Sequence, residues 1–203
     1  MDTKKSIDWK KEIPRIIQLD GTVIYDCDIF GGDNVNFEAI ECLFISGNIS
    51  VGNRFSAVNI WAENIFFGDF AVVGNLIPSV GVFLGDNADV ANIDADGDVS
   101  FGDNADTGDI YTCGNVSFGD NAYTGNICTC GDVSFGDNAD TSDIYTCGNV
   151  SFGDNANVAC IDADGDISFG DNANTGDIYT CGNVSFGDNS LTGKVISEIG
   201  SNN

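Results

Sequence analysis

Val116-Ser117-Phe118-Gly119-Asp120-Asn121-Ala122-Tyr123-Thr124-Gly125-Asn126-Ile127-Cys128-Thr129-Cys130-Gly131-Asp132 is one unit of a tandem series with a period of seventeen residues. It holds three short alternating stretches, 116–118, 122–124 and 127–129, each separated from the next by Gly, Asp or Asn. A period of two marks a strand with one buried face. Gly, Asn and Asp are turn formers that tolerate left-handed backbone angles. No stretch is long enough for a helix, and Gly recurs too often to allow one. Three brief strands and three corners per unit predict an all-β fold: a single-stranded parallel β-helix, or β-solenoid, with coils about 4.8 Å apart. About nine such coils would make a rod roughly 43 Å long.

The period holds well beyond this unit. Phe-Gly-Asp-Asn begins at Phe101, Phe118, Phe135, Phe152, Phe169 and Phe186, and Leu84-Gly85-Asp86-Asn87 and Phe67-Gly68-Asp69-Phe70 extend the register backwards. Ile49-Ser50-Val51-Gly52-Asn53 fits with one residue deleted before Ile65, and 23–48 fits only with insertions. Ile93-Asp94-Ala95-Asp96-Gly97-Asp98 recurs as Ile161-Asp162-Ala163-Asp164-Gly165-Asp166, which points to block duplication. The chain therefore divides into a basic N-terminal segment, 1–21, and a solenoid domain, 22–203.

Variation between copies separates the faces. Positions equivalent to Val116, Phe118, Ala122, Thr124, Ile127 and Thr129 accept a narrow set of residues and are expected to point inward. The position of Asp106, Tyr123, Asp140, Asn157 and Asn174 takes aromatic and polar residues alike, as solvent permits. Inward Thr requires a hydroxyl partner in the next coil or the backbone. Ser100 to Ser185 and Tyr111, Tyr145 and Tyr179 form outward files.

Of 203 residues, 32 are acidic and 7 basic, a net charge of -25 that opposes phosphate binding, so no nucleic-acid partner is expected. The absence of His removes the commonest general base. No nucleophile elbow or phosphate-cradling loop is present, and the regularity of the carboxylates argues against one differentially tuned pair, so an enzyme is not expected. Lys4, Lys5, Lys10, Lys11 and Arg15 concentrate the basic charge in the N-terminal segment, expected to be a cap or a membrane contact. The start lacks a secretory pattern and no run is long enough to span a bilayer, which predicts a cytoplasmic protein with reduced cysteines.

The candidate sites follow from the files. Asp69, Asp86, Asp103, Asp120, Asp137, Asp154, Asp171 and Asp188 form a carboxylate column that invites divalent cations, or else consists of side chains capping their own turns. Asn92, Asp94, Asp96, Gly97, Asp98 and Asp103 follow a calcium-loop-like spacing, repeated in part by Asp162, Asp164, Gly165, Asp166 and Asp171. The flanking helices and terminal Glu of such a loop are lacking. Cys113, Cys130, Cys147 and Cys181 share one corner, either as soft-metal ligands or as small buried stacking residues. The regular hydroxyls raise ice binding as an alternative. Val195, Ile196 and Ile199 lie in a strand-like C-terminal stretch without an obvious lid, an edge through which copies would self-associate.

The recurring Gly-Asp-Ile-Tyr-Thr-Cys-Gly-Asn-Val-Ser-Phe-Gly-Asp-Asn-Ala resembles the winding pattern of bactofilins, polymer-forming bacterial cytoskeletal proteins, over about Ile49 to Val195. The resemblance implies a right-handed three-sided β-helix, no nucleotide cofactor, end-to-end filament growth, and membrane attachment through a short N-terminal segment, here Met1 to Asp20. The acidity, the cysteines and the number of coils depart from that family's pattern.

Overall fold

The computed structural model describes residues 16–17, 22–25 and 27–197. They contain strands and turns but no helix, and every strand belongs to one continuous hydrogen-bonded sheet wound into a solenoid. All pairings but one are parallel; β1 (Ile16–Ile17) lies antiparallel on β2 (Thr22–Tyr25). The file Ile29, Ile49, Ile65, Val82, Val99, Val116, Val133, Val150, Ile167, Val184 counts ten coils, one more than the repeat alone suggests. The extra coil is the irregular 22–48, which steps by twenty residues where Thr22 pairs with Cys42.

Each coil has three faces. In the unit 116–132, face A carries Val116 and Phe118 inward, face B Ala122 and Thr124, and face C Ile127 and Thr129, all six buried as the parity predicts. In-register stacking puts identical rings over one another: Phe101, Phe118, Phe135, Phe152, Phe169 and Phe186 have centroids 4.7–5.1 Å apart and planes within 6°. Near the N-terminus Phe55 replaces the small Ala of face B and stacks on Phe67 at 4.1 Å, so bulk moves from one face to another while the interior stays filled.

Inward Thr is satisfied as required. Thr124 donates to the hydroxyl of Thr141 at 2.7 Å, Thr129 donates to the Gly114 carbonyl, and the Gly131 N–H donates to the Thr129 hydroxyl. Among the described residues no buried side-chain N or O lacks a partner.

The B–C corner carries one strand across two faces in some coils and interrupts it in others, and Gly occurs in both, since Gly74 lies inside the strand Val72–Leu84. Ala91, Ser142 and Ala159 sit inside the continuous strands Asp89–Ala95, Asp140–Thr146 and Asn157–Ala163. Gly108, Gly125 and Gly176 interrupt the equivalent coils. Those glycines fit the surrounding backbone closely: a Cβ on Gly176 would come within 1.8 Å of the Ala159 carbonyl oxygen.

Candidate functional site

The A–B corner is built from Gly-Asp-Asn. The Asn is held at positive φ, 57–61° from Asn87 to Asn189, where Asn is tolerated better than most residues. This bend turns the Asp side chain along the rod. Its Oδ1 accepts the backbone N–H of the Asp one coil later, at 2.7–3.0 Å from Asp69 through Asp188. The expected cap of its own turn is thereby corrected: each carboxylate caps its neighbour's turn, because in-register stacking sets the next coil's N–H beside it. Beside this ladder runs an amide ladder, in which Asn138, Asn155 and Asn172 each donate to the preceding Asn.

The other two corners dilute their charge. The C–A corner alternates Asp98, Asn115, Asp132, Asn149, Asp166, Asn183, and each of the first five accepts the backbone N–H of the residue that follows it in this series at 2.7–2.9 Å. Each Asn also donates its amide to the Asp beneath, at 3.1–3.2 Å. The B–C corner runs Asn92, Asp109, Asn126, Asp143 and then Cys160 before Asp177. Of the three corners, only the A–B corner stacks like charges on every coil from Asp69 to Asp188; before Asp69 the file is interrupted by Asn53.

Asp94 and Asp162 lie in the outward file of face C. Asp96 and Asp164 follow at the exposed start of the C–A corner, and Asp98 and Asp166 belong to its alternating ladder. Asp103 and Asp171 lie beyond face A, in the A–B ladder. A calcium loop wraps around one point, whereas this stretch winds around the rod and distributes its carboxylates over separate corners. Among the described residues no three His, Cys, Asp or Glu side chains gather into a group that could hold a metal ion.

Cys113, Cys130, Cys147 and Cys181 are exposed, not buried stacking residues, because their side chains project from the rim of the corner. All described cysteines are free. Half-buried Cys160 has its thiol pKa raised, first by burial and then by the charges of Asp143, Asp177 and Asp162. Asp143 also raises the phenol of Tyr145, whose hydroxyl donates to Asp143 Oδ2 at 3.4 Å. The threonines of the regular coils face inward, leaving Ser100 to Ser185 as the regular outward hydroxyl file.

The exterior changes character along the rod. On face A the serine file gives way to Phe30, Phe66 and Phe83 in the N-terminal coils, with Phe66 and Phe83 stacked at 5.1 Å. On face C, Ile24, Phe44, Trp61 and Ile77 precede Asp94 and Tyr111. The repeat from Val116 onward gives no reason to expect an apolar exterior in these coils.

At the other end the last coil is bare among the described residues. Leu191 is 70% exposed and Val195 40%, although Ile178, one coil earlier in the file of Val195, is fully buried. Ile196 is half-buried above Tyr179, and Ile199 lies outside the described residues. So does the N-terminal segment apart from Ile16–Ile17, which lies on the first coil. No helix among the described residues is long and apolar enough to cross a membrane.

No family model, curated protein or solved structure matches this chain.

Proposed function

We propose that this β-solenoid is a non-catalytic structural protein that self-associates end to end through its C-terminal coil. The observation that carries this is the loss of burial in the last coil. Val184 and Phe186 are only partly buried, whereas Ile167 and Phe169 directly beneath them are 1% and 6% exposed. A strand edge with such an uncovered apolar interior recruits another chain. A second copy placed there would cover Phe186 and extend the backbone ladder. Similarity of the repeat to the bactofilin winding pattern points the same way.

The test is sedimentation over a hundredfold concentration range. Mass is expected to rise with concentration in the wild type and to stay at the monomer in Val195→Lys, whose charge sits in the uncovered file. A wild-type chain that remains monomeric throughout overturns the proposal.

A second reading, in which the Asp69–Asp188 column holds divalent cations or a basic partner protein, is favoured by its unbroken like charge. Calcium would then raise the melting midpoint beyond sodium chloride at matched ionic strength. Equal midpoints would remove the cation half of that reading.

A further inference from the structure

The strand Ser56–Phe67 is one residue short where it turns the C–A corner. Its register against Val72–Leu84 shifts between Ala62 and Asn64. Ile60 to Ile65 makes this turn in one residue fewer than Leu76 to Val82 above it or Leu43 to Ile49 below it. A coil with a shorter perimeter recedes from the rim. The result is a groove of about 510 Å³ whose lining includes Ile45, Trp61, Glu63, Pro78, Asp94 and Asp96. Trp61 is stacked on Phe44 at 4.4 Å and 16°, which fixes its ring as part of the groove surface. Glu63, Asp94 and Asp96 stand on the same rim, and an indole face beside carboxylates is a surface that attracts an ammonium or guanidinium group lying over the ring.

We propose that this groove is the docking site of the chain's own N-terminal segment, residues 1–15. Three observations favour that occupant. First, the segment holds five of the seven Lys and Arg, namely Lys4, Lys5, Lys10, Lys11 and Arg15, interleaved with Ile7, Trp9 and Ile13. It thus pairs basic charge with apolar bulk, matching the acids and the aromatic surface of the groove. Second, the segment is joined to the rod on the face that leads to the groove. The antiparallel pairing sets Ile17 against Val23 and Ile16 against Ile24, so Ile16, to which the segment is joined, is the end of β1 nearer Tyr25. Tyr25 stands in register on Ile45, which lines the groove. Third, the reach is sufficient. Fifteen extended residues span about 50 Å, and the groove lies within about 20 Å of the first coil at the usual strand spacing.

Docking down the side of the rod differs from capping its top. It would cover Trp61 and withdraw the lysines from any anionic surface, so a membrane contact would compete with it.

Zero-length carbodiimide cross-linking of the full chain at low concentration, followed by peptide mapping, tests the proposal. Lys4, Lys5, Lys10 or Lys11 is expected to join Glu63, Asp94 or Asp96. In a mixture of light and ¹⁵N-labelled chains these links should stay within one copy. Links from these lysines to Asp28 or Asp33 on the first coil, to the A–B column, or between copies would overturn it. A second measurement uses Trp9→Phe, which leaves Trp61 as the single tryptophan. Acrylamide quenching of Trp61 is expected to rise at least about twofold when Lys10→Glu and Lys11→Glu are added. Unchanged quenching overturns the proposal.

Discussion

The Oδ1 of Asp120 accepts the backbone N–H of Asp137 at 2.8 Å, one full coil away. The same carboxylate stands in a column whose charges lie about 4.8 Å apart and repel by about 1 kcal/mol per neighbour in water. The hydrogen bond and the repulsion therefore oppose each other at every step of the A–B corner.

Exchanging Asp120 for Asn separates these effects, because the amide oxygen can still accept the N–H while the charge is removed. Asp120→Asn is expected to raise the melting midpoint at low ionic strength by roughly a few degrees, and Asp120→Ala to lower it by a similar amount. The Asn advantage should fade in high salt as screening removes the repulsion. Thermal scans at two salt concentrations measure both.

Asn121 sits at φ 58°. Asn121→Ala forces a Cβ-bearing residue without a compensating amide into that conformation, at an expected cost of about 1 kcal/mol. Asn121→Gly accepts the angle, and its stability should lie nearer the wild type. Urea titration of the pair checks the order, and equal losses would contradict a role for the backbone angle.

Removing a ring from the middle of the stack leaves a hole bounded by rings on both sides. Phe135→Ala, with Phe118 and Phe152 at 4.9 and 4.8 Å, is expected to cost about 3–5 kcal/mol. Phe186→Ala should cost clearly less, since its ring is only partly buried. Chemical denaturation gives both values, and the difference between them is the informative quantity.

Cys160 has its thiol raised by burial first and by Asp143 next. Alkylation of Cys160 should therefore need more alkaline conditions than an unperturbed thiol, and Asp143→Asn should recover only part of the difference. Because the folded-state value lies above the unfolded one, the contribution to stability is complete below the unfolded value and falls as pH rises through the folded one. Cys160→Ser should flatten that alkaline decline. Site-resolved alkylation rates and melts above pH 8 test the two statements.

The inward set from Val116 to Thr129 was legible because one parity and one period specify it, and a strand slipped by one residue would turn every side chain to the wrong face. The direction of the Asp120 hydrogen bond was not legible, since an Asx turn and an inter-coil bond use the same residue at the same corner. The exposure of Cys113 was missed for a related reason: corner residues lie outside the alternation that separates core from solvent. The groove beside Trp61 did leave a signal, the residue missing before Ile65. A missing residue reveals a shorter turn, but the recess appears only when the longer turns above and below are set beside it.

The pairing of amides with carboxylates along the C–A corner has a consequence for how such a rod can change length. Removing a single coil between Asp98 and Asn183 would bring two acids or two amides together and break the donor–acceptor match at the junction. Removing two would leave it intact. Gain or loss of material in this tract is therefore least disruptive in even numbers of turns, so closely related chains should differ by pairs.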